Sequence, residues 1–427
     1  MKKNGVIIFI TAIALTLFVS AAFAKNLDHP VNTENKMQTE VKKKKILLRG
    51  SWQTINIGDI AHTPGFLSLA KEYLPEAEVW LWPGRLDRGV REMLLKNYPG
   101  LRIVETEREV HEAFEQCVML VHGSAPNVQV AAIRLWRKFS DKPYVIYGVT
   151  ADKLWTPEKK EVLSHAAAVY CRDSLTLHFL KAQELQCKTL DFAPDSTFGM
   201  KIKSDDKAAL RFLEQNQLEP GKYVCVIPRL RWTPASFDSK GFYYQDPDKE
   251  LAMRTHVESD MEKLREAICF IVRKTGLKVV LCPEMVYQVE VGKRYVYDRL
   301  PEDVKAKTVW KSEYWITDEA AGVYSRAHSL LSMDQHSPIM FITMGLPAVL
   351  LRQAEDTWKG QMWRDIGLQK WIFELNVTPA SDICECMQKI VSDYPAALRQ
   401  AEYAKECARQ ASEKAMRHIG ELLRQLK

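Results

Sequence analysis

The sequence predicts an α/β protein of two Rossmann-like lobes, each a mostly parallel sheet covered by helices, with one long helix at the carboxyl end. Three observations carry this. From residue 45 onward short apolar runs alternate with amphipathic stretches, the pattern of parallel strands buried on both faces. The series pauses at a more polar stretch, 201–221, and then restarts. Residues 394–427 form one helical pattern, with Pro395 suited to its first turn and no further Gly or Pro until Gly420.

The elements follow in order. Lys2 and Lys3 precede an apolar run, and Ala22-Phe23-Ala24 supplies the small residues a signal peptidase needs, so 1–24 is expected to be a signal peptide. The same run is long enough to span a bilayer, which leaves open an uncleaved anchor over 6–24. The expected location is therefore outside the cytoplasm, periplasmic or secreted, with the membrane touched only through that segment. Residues 25–44 are polar and patternless, as in a tether. The first lobe, 45–200, has expected strands at 46–49, 78–82, 118–122, 144–149, 169–172 and 189–192, with helices at 65–73 and 128–138. The second lobe, 201–393, has expected strands at 223–227, 278–282, 308–310, 330–333 and 348–351, and a long amphipathic helix at 257–274. The closing helix, 394–427, is expected to pack back across both.

Composition narrows the function classes. A chain of 427 residues, 46% hydrophobic and 27% charged, buries ample core for two domains. A net charge of +6 is too small an excess to argue for nucleic acid, although it can gather in a cleft for an anionic substrate. Nine cysteines show no zinc or redox spacing, and Cys384-Glu385-Cys386 lacks partner ligands. No metal and no resident cofactor are expected, and chelators should leave activity unchanged.

The residues that can carry chemistry sit where strands hand over to helices, the place where open α/β sheets bind ligands. Asn56-Ile57-Gly58-Asp59 follows the first strand; turn chemistry alone also explains it. Arg172-Asp173-Ser174 follows another, with a guanidinium placed to grip carboxylate or phosphate beside residues that can simply cap a helix. Asp195 ends the first lobe's last strand, where it can cap a turn or accept a hydroxyl proton. In the second lobe Pro228-Arg229-Leu230-Arg231-Trp232 offers an anion clamp with a face for stacking a sugar, or an ordinary solvated basic loop. Glu284 ends the next strand. His336, in Asp334-Gln335-His336-Ser337-Pro338, stands at a strand-to-helix junction as a candidate general acid, and Lys359 follows one βαβ step later.

Taken together, Asn56-x-Gly58-Asp59, Arg172-Asp173, Asp195-x-x-Phe198, His336-Ser337, Gly345-x-Pro347 and Lys359 resemble, in order, the polysaccharide pyruvyl transferases over roughly 46–375. The resemblance implies a two-lobed fold like the GT-B glycosyltransferases, and transfer of the enolpyruvyl skeleton of phosphoenolpyruvate onto sugar hydroxyls as a cyclic ketal. His336 would then be the proton donor, and Arg172 and Lys359 would hold the donor, with Arg229 and Arg231 added from their location. Asp59 or Asp195 would serve as base, while Asn56, Gly58 and Trp232 would meet the acceptor glycan. Two departures stand out: Asp334-Gln335-His336 replaces the family's Arg-Leu-His, and Asp356-Thr357-Trp358-Lys359 replaces its Tyr-Asp-x-Lys. A glycosyltransferase using a nucleotide sugar, with Glu284 on the ribose, and a non-catalytic glycan-binding protein are the alternative expectations.

Overall fold

The computed structural model describes residues 43–151, 155–238 and 241–426. The expected signal peptide and nearly all of the expected tether lie outside the described residues. Lys44, the last tether residue expected, already belongs to the first strand. Among the described residues no helix is long and apolar enough to cross a membrane.

The first sheet holds β1 (Lys44–Gly50), β2 (Ala77–Pro83), β3 (Arg102–Ile103), β4 (Met119–His122), β5 (Tyr144–Val149), β6 (Ala168–Cys171) and β7 (Leu190–Phe192). Their order is β3-β2-β1-β4-β5-β6-β7, parallel throughout. The chain then forms β8 (Tyr223–Ile227), the antiparallel pair β9 (Ser236–Asp238) and β10 (Gly241–Tyr243), β11 (Lys278–Leu281), β12 (Thr308–Trp310), β13 (Ser329–Ser332), β14 (Ala348–Arg352) and β15 (Ile372–Glu374). Apart from the β9–β10 pair these make a second parallel sheet, ordered β12-β11-β8-β13-β14-β15. Every residue of β4, β5, β6, β8 and β13 is buried, which is why these strands appear in the sequence as unbroken apolar runs.

The strands absent from the sequence reading are short and only partly covered. β3 has two residues and β15 three, both at sheet edges, so neither makes a recognisable run. Helix starts also moved. The helix expected at 65–73 begins at Ile57, because Asn56 caps it and Pro64-Gly65 is carried inside. Gly65 is held there by close packing, since a Cβ on it would lie 2.0 Å from the Ser196 carbonyl oxygen. Likewise the helix expected from 257 runs Pro247–Phe270, with Asp246 accepting from the Asp248 and Lys249 amides and Pro247 in the first turn.

The closing helix, Tyr394–Gln425, joins both halves. Its Ala401, Ala404 and Ala408 enter the second lobe's core, while Ala415, Met416, Ile419 and Leu423 enter the first lobe's. Burying each of the larger apolar side chains contributes about 1.5–3 kcal/mol, so this helix is a substantial clamp. The lobes are also tied to each other directly. Ile57 N donates to the Glu284 carbonyl at 3.0 Å, Val286 N to the Ile55 carbonyl at 3.0 Å, and Thr317 Oγ1 to the Ile57 carbonyl at 2.6 Å. Ser174 gives its N–H and hydroxyl to the Asp365 carboxylate at 2.8 and 2.7 Å. In each sheet the order reverses at a central strand, β1 between β2 and β4 and β8 between β11 and β13, the position at which open α/β sheets bind ligands.

Candidate active site in the cleft

The first lobe builds its part around Asp195, which follows β7 and is fully buried. Its Oδ2 accepts from Arg172 Nη1 at 2.8 Å and from His62 Nε2 at 3.1 Å, and Lys359 Nζ of the second lobe lies 3.4 Å away. Its Oδ1 accepts the Thr197 N–H at 3.0 Å, and Arg172 Nε is fixed by Thr150 Oγ1 at 2.7 Å. Burial alone would raise this carboxyl, but His62, Lys359 and Arg172 outweigh it and hold Asp195 well below the usual range. Lys359 is pushed down to about 8 by burial, against the pull of Asp195. Among the described residues Lys359 Nζ has no hydrogen-bond partner. The cluster thus holds more cationic groups than carboxylate to match them.

His62 was missed by the sequence reading. The signal was Asp59-x-x-His62 on one face of a helix, and it was lost because the helix was expected to start only at 65. Asn56 and Gly58, expected to meet the acceptor, have structural tasks instead. Asn56 Oδ1 accepts the N–H groups of Gly58 at 2.7 Å and Asp59 at 3.2 Å, capping the helix. Gly58 lets that helix touch His336, since a Cβ there would lie 1.9 Å from the histidine Cβ and 2.0 Å from its Cγ. Asp59 sits beside them, its Oδ2 bonded to Gln53 and its Oδ1 3.9 Å from His336 Nε2.

His336 opens the helix His336–Thr343 after β13, and its partner is Glu284, which follows β11. Glu284 Oε1 accepts from His336 Nδ1 at 3.0 Å and from its N–H at 3.3 Å, and Oε2 accepts the Ser337 N–H at 2.6 Å. A carboxylate only accepts, so Nδ1 carries the hydrogen and Nε2 is left with its lone pair. Nε2 is buried and has no hydrogen-bond partner among the described residues. Burial first, then the charge of Lys359, push this imidazole down to about 3, so it is neutral at neutral pH. The ribose role expected of Glu284 is corrected: its carboxylate is fully buried and committed beneath His336.

The loop after β8 behaves differently from the clamp expected of it. Arg231 is 3% exposed and wholly committed: Nε and Nη2 bind Asp260 at 2.8 and 2.9 Å, Nη1 binds Glu355 at 3.0 Å, and Nη2 also reaches Asn376. No donor can use it. Arg229 pairs with Asp356 and approaches Asp334, with Nε 3.8 Å from Oδ2. Burial would lower this guanidinium, but Asp356 and Asp334 hold it above its ordinary value. The acid in the family's arginine position therefore faces an arginine brought from another strand. Burial, then the charge of Glu284, push Asp334 up to about 6, and Gln288 Nε2 donates to it at 2.7 Å. Trp232 packs half-buried against the second lobe's core rather than forming an open stacking face.

The sequence showed no metal cluster because its members come from separate stretches, Asp59 and His62 from the first helix and Glu284, Asp334 and His336 from the second lobe. Folded, Asp59, His62 and His336 bring three ligand atoms within 4.8 Å of one another, and Glu284, Asp334 and His336 do the same.

Comparison with known proteins assigns the family and the fold. The polysaccharide pyruvyl transferase family model matches residues 56–353, from the Asn56 cap through His336 to Gln353, with Lys359 just beyond. No curated protein matches the chain in sequence. Among solved structures, S. aureus MnaA with UDP is 13% identical, with 89% of this chain and 97% of that chain covered, at a TM-score of 0.57. Anabaena HepE in complex with UDP is 12% identical, covering 90% and 100%, at 0.53. E. coli ADP-heptose LPS heptosyltransferase II is 12% identical, covering 82% and 99%, at 0.50. Such low identities speak for the fold alone, two Rossmann-like lobes of GT-B type. Motifs, fold and family match agree, and the chain belongs to the polysaccharide pyruvyl transferase family, a family of transferases.

Proposed function

We propose that the protein transfers the enolpyruvyl skeleton of phosphoenolpyruvate to two hydroxyls of a glycan as a ketal. One observation supports the reading beyond family membership: His336 Nε2, unpartnered among the described residues, lies beside Asp59 and the cluster in which Arg172, Lys359 and His62 surround a single carboxylate. The Arg172 and Lys359 cations suit the donor's carboxylate and phosphate. His336 suits proton transfer, being neutral before the donor binds and oriented by Glu284.

The chemistry balances with the groups present. A sugar hydroxyl adds to C2 of the donor, and a proton reaches C3, turning the methylene into a methyl. His336 Nε2 is placed to take the hydroxyl proton and hand it to C3. Phosphate then leaves with the C–O bond electrons, and a second hydroxyl closes the ketal and gives up its proton. Donor charge next to His336 counters the effect of Lys359 and favours the protonated imidazole in mid-reaction. Asp195, held ionised among cations, positions Arg172 and Lys359 and is a poor base, so Asp59 is the better second acceptor of a proton.

The acceptor is proposed to be a cell-envelope glycan, a reading supported by the signal-like sequence of 1–24. Purified protein mixed with phosphoenolpyruvate and galactosyl or mannosyl glycans should release phosphate and yield a product heavier by one pyruvyl ketal. Saturable binding of a nucleotide sugar, with no binding of phosphoenolpyruvate by calorimetry, would replace this reading with a glycosyltransferase.

A further inference from the structure

We infer that Asp59, His62 and His336 form a binding site for one divalent transition metal of the zinc or cobalt class. Three lone pairs converge there. His62 donates from Nε2 to Asp195, so its Nδ1 is bare; His336 donates from Nδ1 to Glu284, so its Nε2 is bare. Both bare nitrogens are buried without a hydrogen-bond partner among the described residues, on side chains 2% and 10% exposed. Both face one oxygen, Asp59 Oδ1, at 3.7 Å from His62 Nδ1 and 3.9 Å from His336 Nε2. The rings stand edge to face with centroids 5.0 Å apart, and the three ligand atoms lie within 4.8 Å of one another.

Lone pairs facing one another with no hydrogen between them are unfavourable, and a cation resolves all three contacts at once. The donor set, two imidazoles and a carboxylate, is that of an open zinc site, with the remaining position free for water or substrate. Metal–ligand bonds of about 2.1 Å in tetrahedral geometry set ligand atoms about 3.4 Å apart, so the two contacts with Asp59 Oδ1, at 3.7 and 3.9 Å, close by only a few tenths of an ångström.

The surroundings match as well. Histidines that bind metal almost always give their other N–H to a carboxylate or carbonyl, and here Asp195 and Glu284 accept from both. Asp59 is itself held through Oδ2 by Gln53. The second trio, Glu284, Asp334 and His336, lacks this logic, because its carboxylates already accept from the Ser337 N–H and Gln288 Nε2. The positive charge of Lys359 opposes a metal, and Asp195 between them offsets it.

The inference stands on geometry and does not rest on ketal transfer, but the two meet at one atom. A metal on His336 Nε2 and a proton on that atom exclude each other, so zinc should inhibit the transfer. The test is cobalt(II) titration of the purified full chain followed by visible absorption, with zinc binding by equilibrium dialysis. One metal per chain is expected, with ligand-field bands that zinc displaces. His62→Ala and Asp59→Asn should each lower affinity at least tenfold, and Glu284→Gln about 10- to 100-fold, with circular dichroism confirming the fold. Absent ligand-field bands in the unmutated protein would overturn the site without reference to any variant, as would binding undiminished in a folded His62→Ala protein. If metal binds and transfer then requires it, the metal site stands and the proton role of His336 falls. If no metal binds, the proton role is untouched.

Discussion

Two parts of the cleft contain buried arginines beside buried carboxylates, and they are built for opposite ends. Around Asp195, three basic side chains, Arg172, His62 and Lys359, share one carboxylate, and Lys359 has no hydrogen bond of its own among the described residues. Around the β8 loop the ratio is reversed. Arg229 and Arg231 meet four acids, Asp334, Asp356, Asp260 and Glu355. The first arrangement has cationic capacity to spare for an anionic ligand, and the second is closed on itself. The lesson is that a buried cation signals a binding site only when its partners are too few.

The comparison can be broken by experiment, and the largest expected effect lies where His336 borders the cation-rich side. His336→Ala should lower kcat about 10²- to 10⁴-fold, followed as phosphate release, the scale of a lost proton-transfer group. Next comes Lys359→Met, which should raise the KM for phosphoenolpyruvate about 10- to 100-fold, the equivalent of about 1.5–3 kcal/mol for a hydrogen bond to a charged group. Arg231→Met supplies the contrast. It should cost about 3–5 kcal/mol of stability by leaving Asp260 buried and unpaired, read by urea unfolding, with little change in donor KM for the folded protein. A KM change equal to that of Lys359→Met would erase the distinction between the regions.

A smaller effect follows from pH. Lys359 titrates near 8, below the ordinary lysine value, because it is buried. Below pH 8 it is charged and grips an anion; above, it is neutral, so donor affinity should fall as pH rises through about 8 and flatten in Lys359→Met. For stability the sign is opposite. Between pH 8 and the ordinary lysine range the unfolded chain keeps a proton that the folded chain has lost, so Lys359 favours the fold more as pH rises through that window. The smallest effect is at the cap. Asn56→Ala should cost about 1 kcal/mol of stability, measured by the same unfolding titration.

Much of this was legible in one dimension. β5, β8 and β12 occupy the spans expected of them, and the closing helix begins at Tyr394 as Pro395 indicated. Asp59, Arg172, Asp195, His336 and Lys359 stood out because each follows a strand, and parallel strands deliver their carboxyl ends to one crevice. Arg231 and Trp232 stood out for the same reason, although their partners, Asp260 in the Pro247–Phe270 helix and the second lobe's core, lie far along the chain. His62 stayed hidden behind Pro64, a residue that usually marks a helix start and here lies inside one.

The sequence by itself determined the alternation of strands and helices, the two-lobed architecture and the strand ends from which chemistry would come, because these follow from local periodicity. Only the tertiary structure decided how many acids each buried cation would meet. It also chose Glu284 rather than Asp334 as the partner of His336, and aimed two bare imidazole nitrogens at Asp59. Partner counts and lone-pair directions depend on side chains brought together from distant strands, and no local pattern encodes them.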